Sequence, residues 1–239
     1  MKIPLFQKEK EKKISISYNS IKDKYVEGDT MVVRPPNYGW LDKKLSNQEM
    51  DYLWKCIENK KGIWKSTLAG NITNSYGLTD RGDWFWLNTL LPLCNKYAEE
   101  FDNIGNKVPV NQNHPYHLES LWVNYQKQHE FNPTHEHDGL YSFVIWMKIP
   151  TQYEDQKKNA IALGVNSNAI SNFQFSYNNI LGQPQGFTYE MSSGWEGHMI
   201  FFPGVLRHQV YPFYNCDETR ISISGNITMN TSKTLSPKV

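Results

Sequence analysis

The sequence predicts an α+β fold, mainly β, in which a jelly roll carries an N-terminal helical layer. Two segments with helical periodicity lie in the first half of the chain. From Leu118 onward the periodicity becomes that of β-strands, separated by clusters of Gly, Asn and Pro with no helix between them. Many short strands joined by turns are typical of a sandwich or barrel, and here they favour a jelly roll.

Length and composition favour one domain, residues 46–239, preceded by an N-terminal arm, residues 1–45. The chain has 239 residues, of which 39% are apolar, enough for a substantial core. Its 25 basic and 24 acidic side chains give a net charge of +1, so no field attracts nucleic acid or an anionic membrane. The start MKIPLFQKEKEKK lacks an apolar leader, and no apolar run is long enough to span a membrane. We therefore expect a cytoplasmic protein.

The three cysteines point the same way. Cys56, Cys94 and Cys216 are odd in number, widely separated and free of CxxC spacing. This usage fits a reducing compartment and argues against a thiolate metal site.

The N-terminal arm is expected to be irregular, with strands at 14–18 and 30–34. A helix follows it, because Ser46 and Glu49 match the capping box S-x-x-E and apolar side chains then recur on one face until Gly62. These apolar residues are Met50, Leu53, Trp54 and Ile57.

A second helix is predicted over residues 83–101, with Asp83 as its cap and a kink or a late start at Pro92. Its apolar stripe consists of Leu87, Leu91, Cys94, Ala98 and Phe101. The segment between the helices, residues 63–84, is rich in turn residues and is expected to be a surface excursion.

Six strands are predicted in the second half of the chain from alternation and from enrichment in β-branched and aromatic residues. They cover residues 119–126, 140–149, 172–178, 198–203, 207–213 and 219–229.

Two histidines, His135 and His137, stand just before the most apolar of these strands. In extended backbone, residues i and i+2 project to the same side, so the two rings can converge on one point. Imidazole suits iron, copper, nickel or zinc, but two imidazoles do not hold a catalytic ion and a third ligand is needed. His208 is the expected donor. A polar loop ahead of a strand explains the same pair without a metal.

The last predicted strand contains a second group of polar residues, in TRISISGN. Arg220 and Ser222 share one face of this strand, and the isoleucines beside them share the other. A guanidinium next to a hydroxyl suits a carboxylate, so the pair predicts an anion site inside the roll. An exposed arginine paired with Asp217 or Glu218 is the alternative.

These residues carry a resemblance to a known superfamily. The ordered series FNPTHEH, SFVIWMKIP, FFPGVLRHQVYPF and RISISGNI resembles oxygenases that use Fe(II) and 2-oxoglutarate (2OG) and have the double-stranded β-helix fold. It is most similar to the set encoded by tailed phages of marine bacteria. The resemblance covers residues 119–229 and implies a jelly roll of that type with Fe(II), 2OG and O2 as cofactors.

The superfamily's motif is HxD/E, then a distal histidine, then R-x-S. The resemblance implies that His135, His137 and His208 bind the metal, and that Arg220 and Ser222 hold the distal carboxylate of 2OG. It implies a dioxygenase that hydroxylates a protein side chain or a small molecule and releases succinate and CO2. If the chain is phage-encoded, the expected location is the cytoplasm of the host.

The sequence departs from this motif at the second metal ligand, where His137 replaces a carboxylate. Three neutral imidazoles leave the charge of an ion uncompensated until the dianionic cosubstrate binds. Asp138 is the reserve ligand, although strand alternation directs it away from His135 unless a bulge re-aims it.

The strand before the HxH pair is expected to line the same cavity. Asn124 or Tyr125 is expected to donate a hydrogen bond to the cosubstrate, although aromatic residues such as Trp122 and Tyr125 are more often simply part of the core. The remaining histidines are expected to lie outside the site: His114, His117, His129 and His198.

Two other classes remain open. A cupin-type metal dioxygenase also combines an HxH pair with a distal histidine, but Tyr141 and Ser142 stand where cupins have glutamate, and Val205 stands where they have glycine. A non-catalytic jelly-roll module with a structural metal, acting in a virion or binding carbohydrate, is the other alternative.

Overall fold

The computed structural model describes residues 28, 30, 32, 37–64, 69–110 and 114–233. Contacts within the chain separate Met1–Gly39 from a second compact unit, Trp40–Val239, to which all the elements below belong. The strand predicted at 14–18, and most of the one predicted at 30–34, lie outside the described residues. In the described part of the chain, no helix has the length and apolar character needed to cross a membrane.

Ten strands and three α-helices are found among the described residues. The strands are β1 (Leu41–Lys44), β2 (Asn74–Gly77), β3 (Tyr116–Gln126), β4 (Asn132–His135), β5 (Tyr141–Lys148), β6 (Phe173–Asn178), β7 (Pro184–Tyr189), β8 (His198–Pro203), β9 (His208–Val210) and β10 (Arg220–Met229). The helices are α1 (Asn47–Glu58), α2 (Leu91–Phe101) and α3 (Tyr153–Gln156).

The strands form two antiparallel sheets. The larger sheet has the order β1-β8-β5-β10-β3-β2, and the smaller one has the order β4-β9-β6-β7. From β3 onward the chain passes back and forth between the sheets, with β3, β5, β8 and β10 in the larger and β4, β6, β7 and β9 in the smaller. This alternation is that of a double-stranded β-helix, so the predicted jelly roll with an N-terminal helical layer is confirmed.

Alternate side chains of the larger sheet belong to two separate cores. One face packs against α1 and α2 and includes Phe143, Ile145 and Ile223. The other face packs against the smaller sheet and includes Val144 and Trp146. Because successive residues of a strand point to opposite sides, β5 and β8 contribute side chains to both cores. The second core is the one that borders the candidate site.

Helix α1 begins where the capping box predicted. The Ser46 side chain accepts a hydrogen bond from the Glu49 backbone, and the Glu49 carboxylate accepts one from the Ser46 N–H at 2.8 Å. Leu53, Cys56 and Ile57 are buried on the face toward the larger sheet. The predicted helix and its cap are thus confirmed.

The predicted cap of the second helical segment is wrong. Asp83 has a positive φ of 54° and lies in a 3-10 turn. Asp80 serves instead, because its carboxylate accepts hydrogen bonds from the N–H groups of Phe85 and Trp86 at 2.9 and 2.7 Å. A carboxylate at this end also interacts favourably with the helix dipole.

The predicted late start at Pro92 has a structural counterpart, a π turn over Trp86–Leu90 that precedes α2. The N–H of Leu91 donates to the carbonyl of Trp86, five residues earlier, and Pro92 then lies in the first turn of α2. The π turn shifts the helical phase, so Leu87 is 43% exposed and does not join the stripe. The fully buried side chains are Phe85, Leu90, Cys94 and Tyr97.

Four strands of the structure were not predicted from the sequence: β1, β2, β4 and β7. Strand β2 pairs with β3 at the edge of the larger sheet, inside the segment predicted to be a surface excursion. Asn74, Ser75 and Gly77 of β2 are turn formers, and β4 and β7 each contain a proline, so these strands carry only a weak β-propensity signal. The strand predicted at 207–213 is shorter than expected, ending at Val210.

The Ser46→Ala variant should lose the reciprocal cap of α1. We expect a destabilisation of about 1 kcal/mol, measured by urea-induced unfolding, since an N-cap serine replaced by alanine typically costs that amount. Ser232→Ala, at an exposed position, is the matched control and should change stability by less than about 0.5 kcal/mol. Equal stability of the two variants would contradict the capping role.

Candidate metal centre

Two of the candidate ligands are directly opposite each other on neighbouring strands. His135 ends β4 and pairs with His208, the first residue of β9. The ladder between these strands is irregular between Asn132 and His135. The two rings lie with their centroids 4.3 Å apart. Cross-strand pairing therefore brings together two histidines that are distant in sequence.

His137 reaches the same point from the turn after β4. Its ring centroid lies 5.1 Å from those of both His135 and His208. Its backbone N–H donates to the carbonyl of Gly204 at 2.9 Å. A Cβ on Gly204 would lie only 2.1 Å from the carbonyl oxygen of Gly139, so glycine permits this close approach of the two turns.

The three rings form a group that could hold a metal ion. One ligand atom from each of His135, His137 and His208 lies within 4.8 Å of the others. Metal–nitrogen bonds of about 2.1 Å place three ligand nitrogens roughly 3 Å from one another. The three rings would therefore need to move only slightly closer together to bind an ion. Among the described residues, the other four histidines do not belong to this group.

Hydrogen bonds set the tautomers of two of the rings. Nδ1 of His135 lies 2.7 Å from the Pro133 carbonyl, and Nδ1 of His208 lies 2.9 Å from the Leu206 carbonyl. A carbonyl only accepts, so each Nδ1 carries the proton and each Nε2 keeps its lone pair. Such carbonyl contacts are the usual support of metal-binding histidines.

Burial keeps all three imidazoles neutral. It lowers the pKa of His135, and together with the neighbouring His135 it lowers the pKa of His137 to about 4. Burial also lowers the pKa of His208 well below its ordinary value, with the two other histidines adding to the effect. Neutral imidazole is the form that binds a metal ion.

The carboxylates beside the histidines lie outside this group. Asp138, the reserve ligand, is exposed and is not among the clustered side chains. Glu136 is also exposed, and one of its oxygens lies 3.3 Å from Nε of Arg207. The alternation of side chains along the HEHD segment directs the two carboxylates away, as the sequence predicted.

A cavity of about 140 Å³ adjoins the three histidines, and the larger sheet forms one of its walls. Ser222 on β10 lies between Asn124 on β3 and Trp146 on β5 in the registers of the two strand pairs. Ser224 lies beside Trp122 in the next row. All five of these side chains line the cavity. The smaller sheet contributes Phe173 and Val210 to the opposite side.

Arg220 is fully buried, being 1% exposed, one row beyond Ser222 on the same face of β10. Its Nη2 donates to the carbonyl and hydroxyl oxygens of Ser171 at 2.9 and 2.6 Å. Its Nη1 has a long contact of 3.5 Å to Gln126, and its Nε has no partner among the described residues. Burial lowers the pKa of Arg220 to about 10, so the group remains charged at neutral pH.

Among the described residues, the buried guanidinium has no anionic partner. Within the described chain, no carboxylate forms an ion pair with Arg220, and Asp217 and Glu218 bond elsewhere, to Gln128 and Lys148. The alternative of an exposed, paired arginine is therefore wrong. Arg220 does not itself reach the cavity surface, which Gln126 and Ser222 line on this side.

The two expected donors on β3 have different positions. Asn124 is buried, lines the cavity and accepts a hydrogen bond from Ser75 at 2.7 Å. Tyr125 lies on the opposite face of β3, with its ring 5.9 Å from that of Tyr76. The expectation that Tyr125 donates to a cosubstrate is wrong, because alternation along β3 turns it away from the cavity.

Sequence reasoning did not identify Ser171, Gln126 or Trp146 as part of this region. Gln126 shares the inward face of β3 with Asn124, and alternation along the strand would have indicated it. Trp146 required the register between β5 and β10. Ser171 has a positive φ of 64° outside any strand, and no pattern in the sequence marks it.

Residues 120–226 match a family model described as "Putative 2OG-Fe(II) oxygenase". The matched range begins in β3 and ends in β10, so it includes the three histidines, Arg220 and Ser222. Together with the three-histidine group, this match supports Fe(II), 2OG and O2 as the cofactors. A search of the curated proteins finds no match.

Solved structures of similar architecture include a prolyl-4-hydroxylase of Pseudomonas putida (13% identity, 81% of this chain and 94% of that chain, TM-score 0.49). Others are a viral collagen prolyl hydroxylase from Paramecium Bursaria Chlorella virus-1 (14%, 80% and 94%, 0.45) and HygX from Streptomyces hygroscopicus with nickel, 2OG and hygromycin B bound (8%, 81% and 84%, 0.45). Identities and TM-scores this low identify neither a substrate nor a reaction.

Proposed function

We propose that this protein is an Fe(II)- and 2OG-dependent dioxygenase that hydroxylates a protein side chain or a small molecule. The observation that carries the proposal is the presence, in one roll, of three converging neutral imidazoles and a fully buried guanidinium without an anionic partner. The first is a site for a divalent ion. The second calls for an anion that the described residues do not supply.

His135, His137 and His208 would hold the metal. Imidazole nitrogens suit Fe(II), and three protein ligands leave other coordination positions for the cosubstrate and O2. No carboxylate takes part, so the ion keeps its full charge within the protein. A dianion such as 2OG would then be attracted both by the ion and by Arg220.

Arg220 and Ser222 would hold the far carboxylate of 2OG. The Nε and Nη1 groups of Arg220 are under-bonded, and a planar guanidinium binds a carboxylate through two such donors. Ser171 would fix the other edge of the guanidinium. To reach the anion, Arg220 would exchange its long contact with Gln126 for a charge-assisted bond.

When bound, Fe(II) and 2OG supply oxidation by O2, in which one oxygen atom enters succinate as CO2 is released and the other enters a substrate C–H bond. The protein's own contribution is to orient these reactants and to limit the access of water. Apolar side chains, including Phe173, Phe202 and Val210, border the histidines and serve the second purpose.

We also propose that the protein acts in the cytoplasm and that it is related to the phage-encoded oxygenases it resembles. The order of the motifs supports the resemblance. The three cysteines are free thiols, as a reducing compartment requires.

The two alternatives leave the buried guanidinium unexplained. A cupin-type dioxygenase needs no cosubstrate, and a binding module with a structural metal needs no second charged group. Arg220 bonds to Ser171 and lies 4.9 Å over the Phe213 ring, but its charge has no counter-ion among the described residues, and a buried charge without one is costly. A ligand that pairs with Arg220 explains why this residue is retained inside the roll.

Succinate formation from 2OG with Fe(II) and ascorbate tests the proposal. We expect turnover that requires Fe(II), 2OG and O2, with one atom from ¹⁸O₂ appearing in succinate. His208→Ala should abolish it. A protein that holds zinc tightly and forms no succinate would contradict the proposal and favour the binding module.

The three histidines should contribute to metal affinity in the same way. We expect His135→Ala and His208→Ala to weaken Co²⁺ binding by more than about 100-fold, since loss of an outer-shell partner alone typically costs 10–100-fold. His137→Asp restores a carboxylate at this position and should retain binding. The control is His114→Ala, whose partly buried ring lies outside the group of three histidines; competition titrations measure all four variants. Unchanged affinity in His208→Ala would exclude it as a ligand.

Arg220→Leu should weaken 2OG binding while leaving the metal content intact. Loss of one partner of a buried charge pair costs about 2–5 kcal/mol, or roughly 30-fold to several thousandfold in Kd. At a 2OG concentration 100 times its Kd, the metal-loaded wild-type protein should gain about 2.7 kcal/mol of stability. This corresponds to a Tm rise of about 5–10 °C.

Under the same conditions Arg220→Leu should show at most about a third of this rise in Tm, because its Kd for 2OG is at least about 30-fold higher. Arg81→Leu, at an exposed position outside the cavity, should behave as wild type. Loss of the metal together with 2OG binding in Arg220→Leu would assign Arg220 a structural role.

A further inference from the structure

Two buried tryptophans of the cavity wall have indole N–H groups that find no partner among the described residues. Trp122 and Trp146 are 3% and 1% exposed, and in the part of the chain that the structure describes neither Nε1 has a hydrogen-bond partner. Both residues line the cavity next to the histidines. Buried donors in folded proteins are nearly always bonded, so two orphans in one wall need an explanation.

The two indoles lie at successive positions along that wall. Trp146 is opposite Ser222 across the β5–β10 pair, one row from Arg220. Trp122 is opposite Ser224 across the β3–β10 pair, and its ring centroid lies 6.0 Å from that of His137. The pair therefore follows the direction from the guanidinium toward the metal-binding histidines.

The missing partner must be a hydrogen-bond acceptor. An indole N–H only donates, and the guanidinium beyond it also only donates. Glu136 is the carboxylate that lines the cavity, but it is exposed and already contacts Arg207. A small molecule rich in anionic oxygen atoms would satisfy this wall.

We propose that the indole N–H groups of Trp146 and Trp122 are hydrogen-bond donors to the oxygen atoms of 2OG. This inference rests on the proposed function and adds two cosubstrate-binding residues to Arg220 and Ser222. Trp146 bonds the end of the molecule held near Ser222, and Trp122 bonds an oxygen at the end next to His137. Both bonds are charge-assisted, because the acceptors carry negative charge. The wall accordingly favours a fully deprotonated diacid over a neutral analogue.

The indole N–H resonances of ¹⁵N-labelled protein test the inference directly. The chain has eight tryptophans, so eight signals are expected. Zn²⁺ replaces Fe(II) to keep the signals sharp, and 2OG is then added to the zinc-loaded protein. We expect the Trp122 and Trp146 signals to move downfield on addition of 2OG. Through-bond assignment in the wild type identifies the signals even if a variant fails to fold.

Substitution supplies the second readout. Trp146→Phe and Trp122→Phe remove the N–H but keep an aromatic ring, and calorimetry should show 2OG binding weakened about tenfold in each, which corresponds to about 1.4 kcal/mol. Zinc affinity should not change. Trp195→Phe is the matched control, because this partly buried tryptophan packs against Tyr189 outside the cavity; it should bind 2OG as the wild type does.

The outcomes separate this inference from the function on which it rests. If 2OG binds the wild-type protein but both indole signals stay in place, the assignment of the two donors is wrong and the oxygenase proposal stands. If the signals move and the Phe variants bind 2OG normally, the indoles merely sense the ligand and the inference is overturned. If the zinc-loaded wild type does not bind 2OG at all, the proposed function fails, and the inference fails with it.

Discussion

Strand β10 is the constraint on which the architecture depends. It is hydrogen-bonded to β3 along one edge and to β5 along the other, and its register decides which side chains enter the roll. Arg220, Ser222 and Ser224 face the smaller sheet, while Ile223 and Ile227 face the helices. A shift of one residue would put the guanidinium among the helices and the isoleucines in the cavity. Packing of the isoleucine face thus also fixes the polar face.

The electrostatic character of the interior follows from that register. The cavity wall combines neutral imidazoles, hydroxyls, indoles and three amides with the exposed carboxylate of Glu136, and a buried cation lies behind it. Charge interactions are stronger inside a protein than in water. A buried cation without a counter-ion therefore gives the cavity a strong preference for an anionic ligand. A metal ion held by three neutral histidines would add to this preference. Metal and anion would then compensate each other's charge.

The sequence was informative wherever the evidence was local. The capping box of α1, the alternation that brings His135 and His137 together and the inward face of Arg220 depend on neighbours within a few residues. Features that depend on distant pairing were missed or assigned wrongly. The sequence alone does not distinguish Tyr125 from Asn124 as a donor, because the pairing of β3 with its neighbouring strands decides which of its faces points into the roll. Asp80 caps the second helical segment, and a π turn changes the phase of that segment. Neither the cap nor the π turn produces a periodic pattern in the sequence.

The short ladder between β4 and β9 has a consequence for local dynamics. These strands have four and three residues, and their pairing is irregular, whereas β10 pairs over most of its ten residues. Short ladders with few hydrogen bonds open locally at lower free energy than the central strands of a sheet. His135 and His208 lie on opposite sides of this ladder, so an ion bound to both would join them as a clasp. Escape of the ion and fraying of β4 from β9 would then be one event, and amide hydrogen exchange along β4 would slow once the clasp is closed.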